Sequence, residues 1–260
     1  MTLSVVWREQ DNIHLASDSR LSFGPLGMVD CGIKVSRFPV TVRDADEAGV
    51  QGNVVWSGEL GVTFAGLATD ALMLRDAVAE AVYALQVAEP SNFQGMETLS
   101  IFLRDAFILI TAEQWPVTGP RSPTAIIFSG WCVSKDRYRA FYFKRTGLTS
   151  YDFREVAMND GEFIAIGSGS TAFNKIVIAP ARQRAVIEAL ELVINDPAES
   201  AVGGNVQYGR FKGEQFQPHG VARVDQGMSY WRGLLDLNHP EFMGKNGIMT
   251  NFPFLDRFSQ

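Results

Sequence analysis

Residues 2–20 read TLSVVWREQDNIHLASDSR, and the fold is decided by how this opening is parsed. Two short runs of apolar and β-branched residues, 3–7 and 13–17, flank the polar stretch 8–12, which is the pattern of a β-hairpin. A strand this close to residue 1 ties the start of the chain into a sheet, where most termini fray. Chemistry that depends on the position of that end is therefore worth looking for.

Further along, strands are expected at 32–35, 53–56 and 62–65. The intervening stretch 36–52 contains RDADEAG, too charged for a core strand, and reads as an exposed loop. Leu74, Val78, Ala81, Val82 and Leu85 recur at steps of three and four, predicting a helix over 69–87 with Thr69 or Asp70 as its N-cap. Leu99, Phe102, Leu103, Ala106 and Ile110 repeat the pattern over 96–115, with Trp115 and Pro116 as the stop. The proline-rich 116–123 is a turn-rich connection. Strands resume at 124–132, 137–144 and 163–166, the last followed by GSGS. A helical region over 170–195 is broken by Pro180 and carries Val186, Ala189, Leu190 and Val193 on one face. Short strands follow Gly203 and Gly204, and the tail from 225 has no clean period. Strands, two helices, strands, a helix and strands again argue for a single α+β domain, with helices packed on antiparallel sheets.

Composition sets the bounds. The 260 residues are 46% hydrophobic and 20% charged, enough apolar material for a large core, and this excludes a disordered chain. A net charge of −6 offers no general positive field, so no nucleic-acid partner is expected. Arg8, Glu9, Asp11, Asp18 and Arg20 interrupt any secretory signal, and the most apolar window, 106–112, is far shorter than the roughly 18 residues of a membrane span. A cytoplasmic protein without a membrane partner is expected. Cys31 and Cys132 read as ordinary buried thiols, and with His14, His219 and His239 scattered they form no zinc site. Neither metal nor cofactor is expected.

Thr2 follows Met1, the context in which an initiator methionine is removed, and removal would leave Thr2 with both a hydroxyl nucleophile and a free α-amine. An α-amine with a reference pKa of about 7.7 to 8.0 is a better base at neutral pH than a lysine near about 10.4. Threonine at position 2 is nevertheless common for processing reasons alone. The residues around the hairpin add weight: Asp18 and Arg20 close the second strand, and Lys34 lies in GIKV on the next. A lysine ammonium beside Thr2 would lower the proton affinity of its hydroxyl and amine, with Asp18 keeping that lysine charged and oriented. The plain alternative is a surface Asp18–Lys34 ion pair worth under about 1 kcal/mol. Charges at the apolar ends of strands speak against it.

Thr2, Asp18 sixteen residues on, Arg20 in a DSR string and Lys34 thirty-two residues on resemble the spacing of proteasome β-type subunits, which are N-terminal-nucleophile threonine peptidases. Gly66 in TFAGLATD is similar to the family's turn whose N–H serves the oxyanion hole, and Ser168 in IGSGS is similar to the serine beside the nucleophile's amine. The resemblance covers residues 2 to about 207 and implies a four-layer αββα sandwich of the N-terminal-nucleophile hydrolases. It further implies a hydrolase domain over 1–225, with 226–260 as an extension of that domain or an assembly contact. With no propeptide expected before Thr2, the chain is nearest to bacterial relatives such as HslV, Anbu or the β-proteobacterial proteasome homologue, the last being preferred. The implied partners are a peptide or unfolded protein substrate, further copies in a homo-oligomeric ring, and an ATPase unfoldase.

Two departures stand out. The 36–52 stretch is longer than the family needs, and Glu199, Ser200, Ala201 and Val202 before Gly203 and Gly204 do not match the family's Asp and Ser. A non-catalytic ring-assembly subunit and a small-amide hydrolase of the same class remain as alternatives; the first has no need of Thr2, Asp18 and Lys34 together. Among the other features, GSGS reads as a strand-to-helix corner rather than a phosphate site, and His14 as a satisfied strand residue. Tyr230, Trp231, Phe242, Phe252 and Phe254 give the tail the aromatic content of an intersubunit or lid segment.

Overall fold

The computed structural model describes residues 2–23, 26–45, 51–83, 85–118, 124–221, 223–225, 228–231 and 234–235. The opening hairpin is present as β1 (Leu3–Glu9) and β2 (Asn12–Ser17), antiparallel with Ser4 opposite Ser17. A small ladder, β3 (Leu21–Ser22) and β4 (Met28–Val29), follows. Then come β5 (Val35–Ala45), β6 (Gln51–Ala65), α1 (Ala68–Tyr83), β7 (Leu85–Val87) and α2 (Met96–Thr118). The second half adds β8 (Ala125–Cys132), β9 (Arg137–Arg145), β10 (Tyr151–Val156), β11 (Phe163–Gly167), α3 (Ser170–Ile176) and α4 (Gln183–Ile194). It continues with β12 (Gln207–Lys212) and β13 (Gln215–Gly220). Short strands β14 (Arg223–Asp225), β15 (Met228–Trp231) and β16 (Leu234–Leu235) form a three-stranded sheet that straddles residue 225. Tyr230 and Trp231 lie in β15, whereas Met1, Phe242, Phe252 and Phe254 lie outside the described residues.

Two larger sheets carry the domain, a five-stranded one in the order β11-β1-β2-β12-β13 and a six-stranded one in the order β10-β9-β8-β6-β5-β7. Alternation along β1 serves two cores at once. Leu3, Val5 and Trp7 pack with Phe173, Val186, Leu190 and Val193 of α3 and α4, while Val6 joins a core with Val35, Ala65 and Ile127 from the other sheet. The strand period of two explains how a single strand satisfies both faces. A third core places Leu74, Val78 and Val82 of α1 and Leu99, Leu103 and Phe107 of α2 on Leu60, Val62, Phe128 and Phe143 of the six-stranded sheet. No helix among the described residues is long and apolar enough to cross a membrane.

Several readings of the sequence need correction, among them the helix stop at 115–116, since α2 runs on through Pro116 to Thr118. The stretch 36–52 is not an exposed loop over its first ten residues: β5 runs from Val35 to Ala45 and pairs antiparallel with β6, while 46–50 lie outside the described residues. Phe38, Val40 and Val42 alternate inward while Arg37, Pro39 and Thr41 face away, and the charged Arg43 and Asp44 fall where the pairing with β6 becomes irregular. The expected strands at 53–56 and 62–65 are one long strand, and Lys34 precedes β5 rather than lying in a strand. The helix expected over 69–87 starts at Ala68 and ends at Tyr83, with Leu85–Val87 leaving it to pair parallel with β5. Finally, Cys132 is buried but Cys31 is exposed.

His14 is the satisfied strand residue expected. It is buried, stacks on Trp7 with ring centroids 5.0 Å apart, and places Nδ1 2.7 Å from the Tyr208 hydroxyl. That hydroxyl donates its proton to Gln183 Oε1, so it accepts from a protonated His14 Nδ1. Burial first, then Arg210 and His219, push the His14 pKa down to about 3. The unfolded chain therefore takes up a proton near pH 6.5 that the folded chain refuses until about pH 3, and stability is lost as pH falls through that window. At about 1.4 kcal/mol per pH unit for one proton, His14→Gln should lessen the stability loss between pH 6.5 and 4.5 by roughly 2 kcal/mol, as read by urea unfolding. Identical acid slopes would show that His14 titrates normally.

Candidate active site

Thr2 sits at the mouth of β1, held there because β1 is flanked on both sides, by β2 and by β11, where Leu3 opposes Gly167. Asp18 follows β2 directly and Lys34 precedes β5, so the three residues come from three strand ends that converge. Lys34 Nζ donates to Thr2 Oγ1 at 2.8 Å and to Asp18 Oδ1 at 2.7 Å. Both charged side chains are 0% exposed, which overturns the surface-pair alternative.

Burial pushes the Lys34 ammonium below the ordinary lysine range, and Asp18 opposes that shift by charge and hydrogen bond. Asp18 itself is fully engaged. Its Oδ1 also accepts from Leu3 N at 3.0 Å, and its Oδ2 accepts from Gly203 N at 3.1 Å and Arg20 N at 3.2 Å. A buried carboxylate surrounded by donors can hold a buried ammonium in one place. That ammonium, donating to the threonine oxygen, would stabilise negative charge developing on it.

Arg20 supports this arrangement from outside. It makes a bidentate pair with Asp30 at 2.7 and 2.9 Å and donates to the carbonyls of Ser200 at 3.0 Å and Val202 at 3.4 Å. The Asp30 hydrogen bonds hold its guanidinium above its ordinary value. Ser19 Oγ donates to Asp30 O at 2.6 Å and accepts from Asn205 N at 2.8 Å. The segment whose side chains lacked a match in the sequence thus reaches the site through its backbone. Asp30 and the Gly203 N–H were not legible as site groups, since no local pattern marks them.

Gly66 follows β6 directly, and Ser168 lies in the turn that follows β11. Gly66 has φ +137°, and a Cβ there would lie 2.7 Å from Thr124 Cα, so only glycine fits. At Gly167, with φ +98°, a Cβ would stand 1.9 Å from the Thr2 carbonyl oxygen and 3.1 Å from the Ala65 Cβ. The end of β11 therefore lies against the Thr2 carbonyl, and the end of β6 lies against β11 there through Ala65. Ser168 is exposed on that turn, and Gly169 N lies 3.5 Å from the Thr2 carbonyl oxygen. As expected, the GSGS string makes a strand-to-helix corner, leading from β11 into α3.

The sequence matches no family model and no curated protein. Solved structures do resemble it. Anbu (ancestral beta-subunit) from Yersinia bercovieri superposes with a TM-score of 0.59 at 14% identity, over 93% of this chain and 91% of that one. The helical assembly of the Anbu complex from Pseudomonas aeruginosa gives 0.59 at 13% identity, covering 86% and 88%. A mutant Anbu from Hyphomicrobium sp. strain MC1 gives 0.56 at 16% identity and 84% of each chain. This chain shares the Anbu fold. At such identities the likeness is one of architecture, and it does not choose among the bacterial branches named above.

A double-mutant cycle tests the buried pair. Asp18→Asn strands an ammonium in the interior and should cost about 3 kcal/mol in urea unfolding. Adding Lys34→Met removes the orphaned charge, so the double variant should lose at least about 1 kcal/mol less than the two single losses combined. Strict additivity would mean that the pair is not formed.

Proposed function

We propose that this chain is a threonine-type endopeptidase subunit of a self-compartmentalising, proteasome-like complex, folded as the four-layer αββα sandwich of N-terminal-nucleophile hydrolases. The observation that carries the reading is the buried Lys34 ammonium donating to both Thr2 Oγ1 and Asp18. A structural subunit gains nothing from a charge desolvated against a threonine hydroxyl at the start of a strand.

In this reading Met1 is removed and the freed Thr2 amine becomes the general base. The amine takes the Oγ1 proton, through a water, as the oxygen attacks a peptide carbonyl. Lys34, kept charged by Asp18, stabilises the developing alkoxide, the Gly66 N–H meets the oxyanion, and Ser168 serves the amine. Collapse of the tetrahedral species breaks the C–N bond, and the leaving amine takes the proton from the Thr2 ammonium. Water then hydrolyses the Thr2 ester by the same base. The proposed setting is cytoplasmic, with peptide or unfolded protein as substrate and an ATPase unfoldase as feeder. The hydrolase domain is proposed to span 1–225, with 226–260 modifying contacts between copies.

Intact mass before and after a threonine-directed electrophile tests the chemistry. Active protein should lack Met1 and gain one adduct, Thr2→Ala should gain none, and Lys34→Ala should keep its fold while losing at least about a hundredfold in turnover. Full activity with Met1 quantitatively retained would refute the mechanism.

The likeness to a helical Anbu assembly supports association between copies. Light scattering should find a homo-oligomer, proposed to be a ring where the contact closes and a helical stack where it does not. A stable, active monomer at micromolar concentration would favour a small-amide hydrolase instead.

A further inference from the structure

Lys34 lies just before β5, outside the regular strand pairing that fixes its neighbours. Its backbone is instead held by one side chain from the opposite sheet. Gln207, the first residue of β12, is buried with 0% exposure. Its Oε1 accepts from Lys34 N at 2.8 Å and from Val35 N at 3.1 Å, and its Nε2 donates to Gly32 O. One neutral amide thus satisfies two donors and one acceptor in the four-residue segment 32–35, which neither a carboxylate nor a shorter side chain can do.

The register shows why Gln207 reaches this point. It opposes Ser17 across β12 and β2, and Ser17 opposes Ser4 across β2 and β1. Ser4, Ser17 and Gln207 therefore form a polar row across three strands. The Ser4 and Ser17 hydroxyls lie 2.8 Å apart, and Ser4 Oγ donates to Phe64 O at 2.8 Å. The row pins the end of β6 at one end and the Lys34 segment at the other.

We propose that Gln207 is a positioning residue, holding the Lys34 backbone so that its ammonium spans Thr2 and Asp18. Its catalytic consequence rests on the peptidase reading above, but its effect on Lys34 does not. Thr2, Asp18, Asp30 and Arg20 supply the polar and charged surroundings of the Lys34 ammonium and are unchanged by substitution at 207. Releasing the segment lets Nζ reach water and relieves the burial that depresses its titration.

The test uses Gln207→Met, which keeps volume and loses all three bonds, and Gln207→Asn, whose amide is one methylene short of meeting both Lys34 N and Gly32 O. Lys34 titration is followed by NMR of lysine ¹³Cε, assigned with Lys34→Arg. Thr2 labelling by the electrophile is followed by mass. In either folded variant the Lys34 midpoint should rise by about one pH unit, towards the ordinary lysine value. The maximal labelling rate should fall at least about tenfold, with the electrophile's apparent binding constant within about twofold of wild type. A folded variant with an unmoved midpoint and a wild-type labelling rate overturns the proposal. If wild-type Thr2 is never labelled, the peptidase reading fails and the Lys34 midpoint alone decides on Gln207.

Discussion

A lysine ammonium buried beside a threonine hydroxyl is expensive, and most of the structure around Thr2 can be understood as meeting that expense. The charge is tolerable only because Asp18 faces it at 2.7 Å, and the carboxylate is tolerable only because Leu3 N, Arg20 N and Gly203 N donate to it as well. Those three donors come from the start of β1, the turn after β2 and the segment before β12. The ion pair and the backbone of three chain segments therefore depend on one another, and a shift in any of them leaves a buried charge short of a partner.

The two sheets provide the rigidity for this. β1 is buried on both faces and paired on both edges, so the first residues cannot fray as a free terminus would. Gly167 brings the end of β11 against the Thr2 carbonyl, and the end of β6 lies against β11 there through Ala65. Thr2 is thus placed by packing and pairing alone, and in the proposed reaction that would set the geometry of the attacking oxygen in advance.

The corrections to the sequence reading share a physical origin. In 36–45 the count of charges argued for a loop, but Phe38, Val40 and Val42 alternate with exposed or half-buried positions, and a strand accepts charges at such positions as readily as a loop does. At Leu85 the helical period continued in the residue types while the chain turned to pair with β5, a long-range choice that outweighs local periodicity. Cys31, expected to be buried, lies exposed beside Asp30, where Ser19 rather than apolar packing holds the backbone on either side of it.

The sequence by itself determined the opening hairpin, the α1 and α2 periodicities, the break at Pro180 and the spacing of Thr2, Asp18 and Lys34, because each depends on residues close along the chain or on a pattern of types. Only the tertiary structure decided that Asp18 and Lys34 are buried together, that Asp30 anchors Arg20, and that Gly203 and Gln207 reach the same site from across the fold. Gln207 meets Lys34 over a separation of 173 residues, through a side-chain amide whose partners are backbone atoms. Backbone N–H and C=O groups are the same for nearly every residue, so a contact made to them leaves no mark in the sequence at the far end.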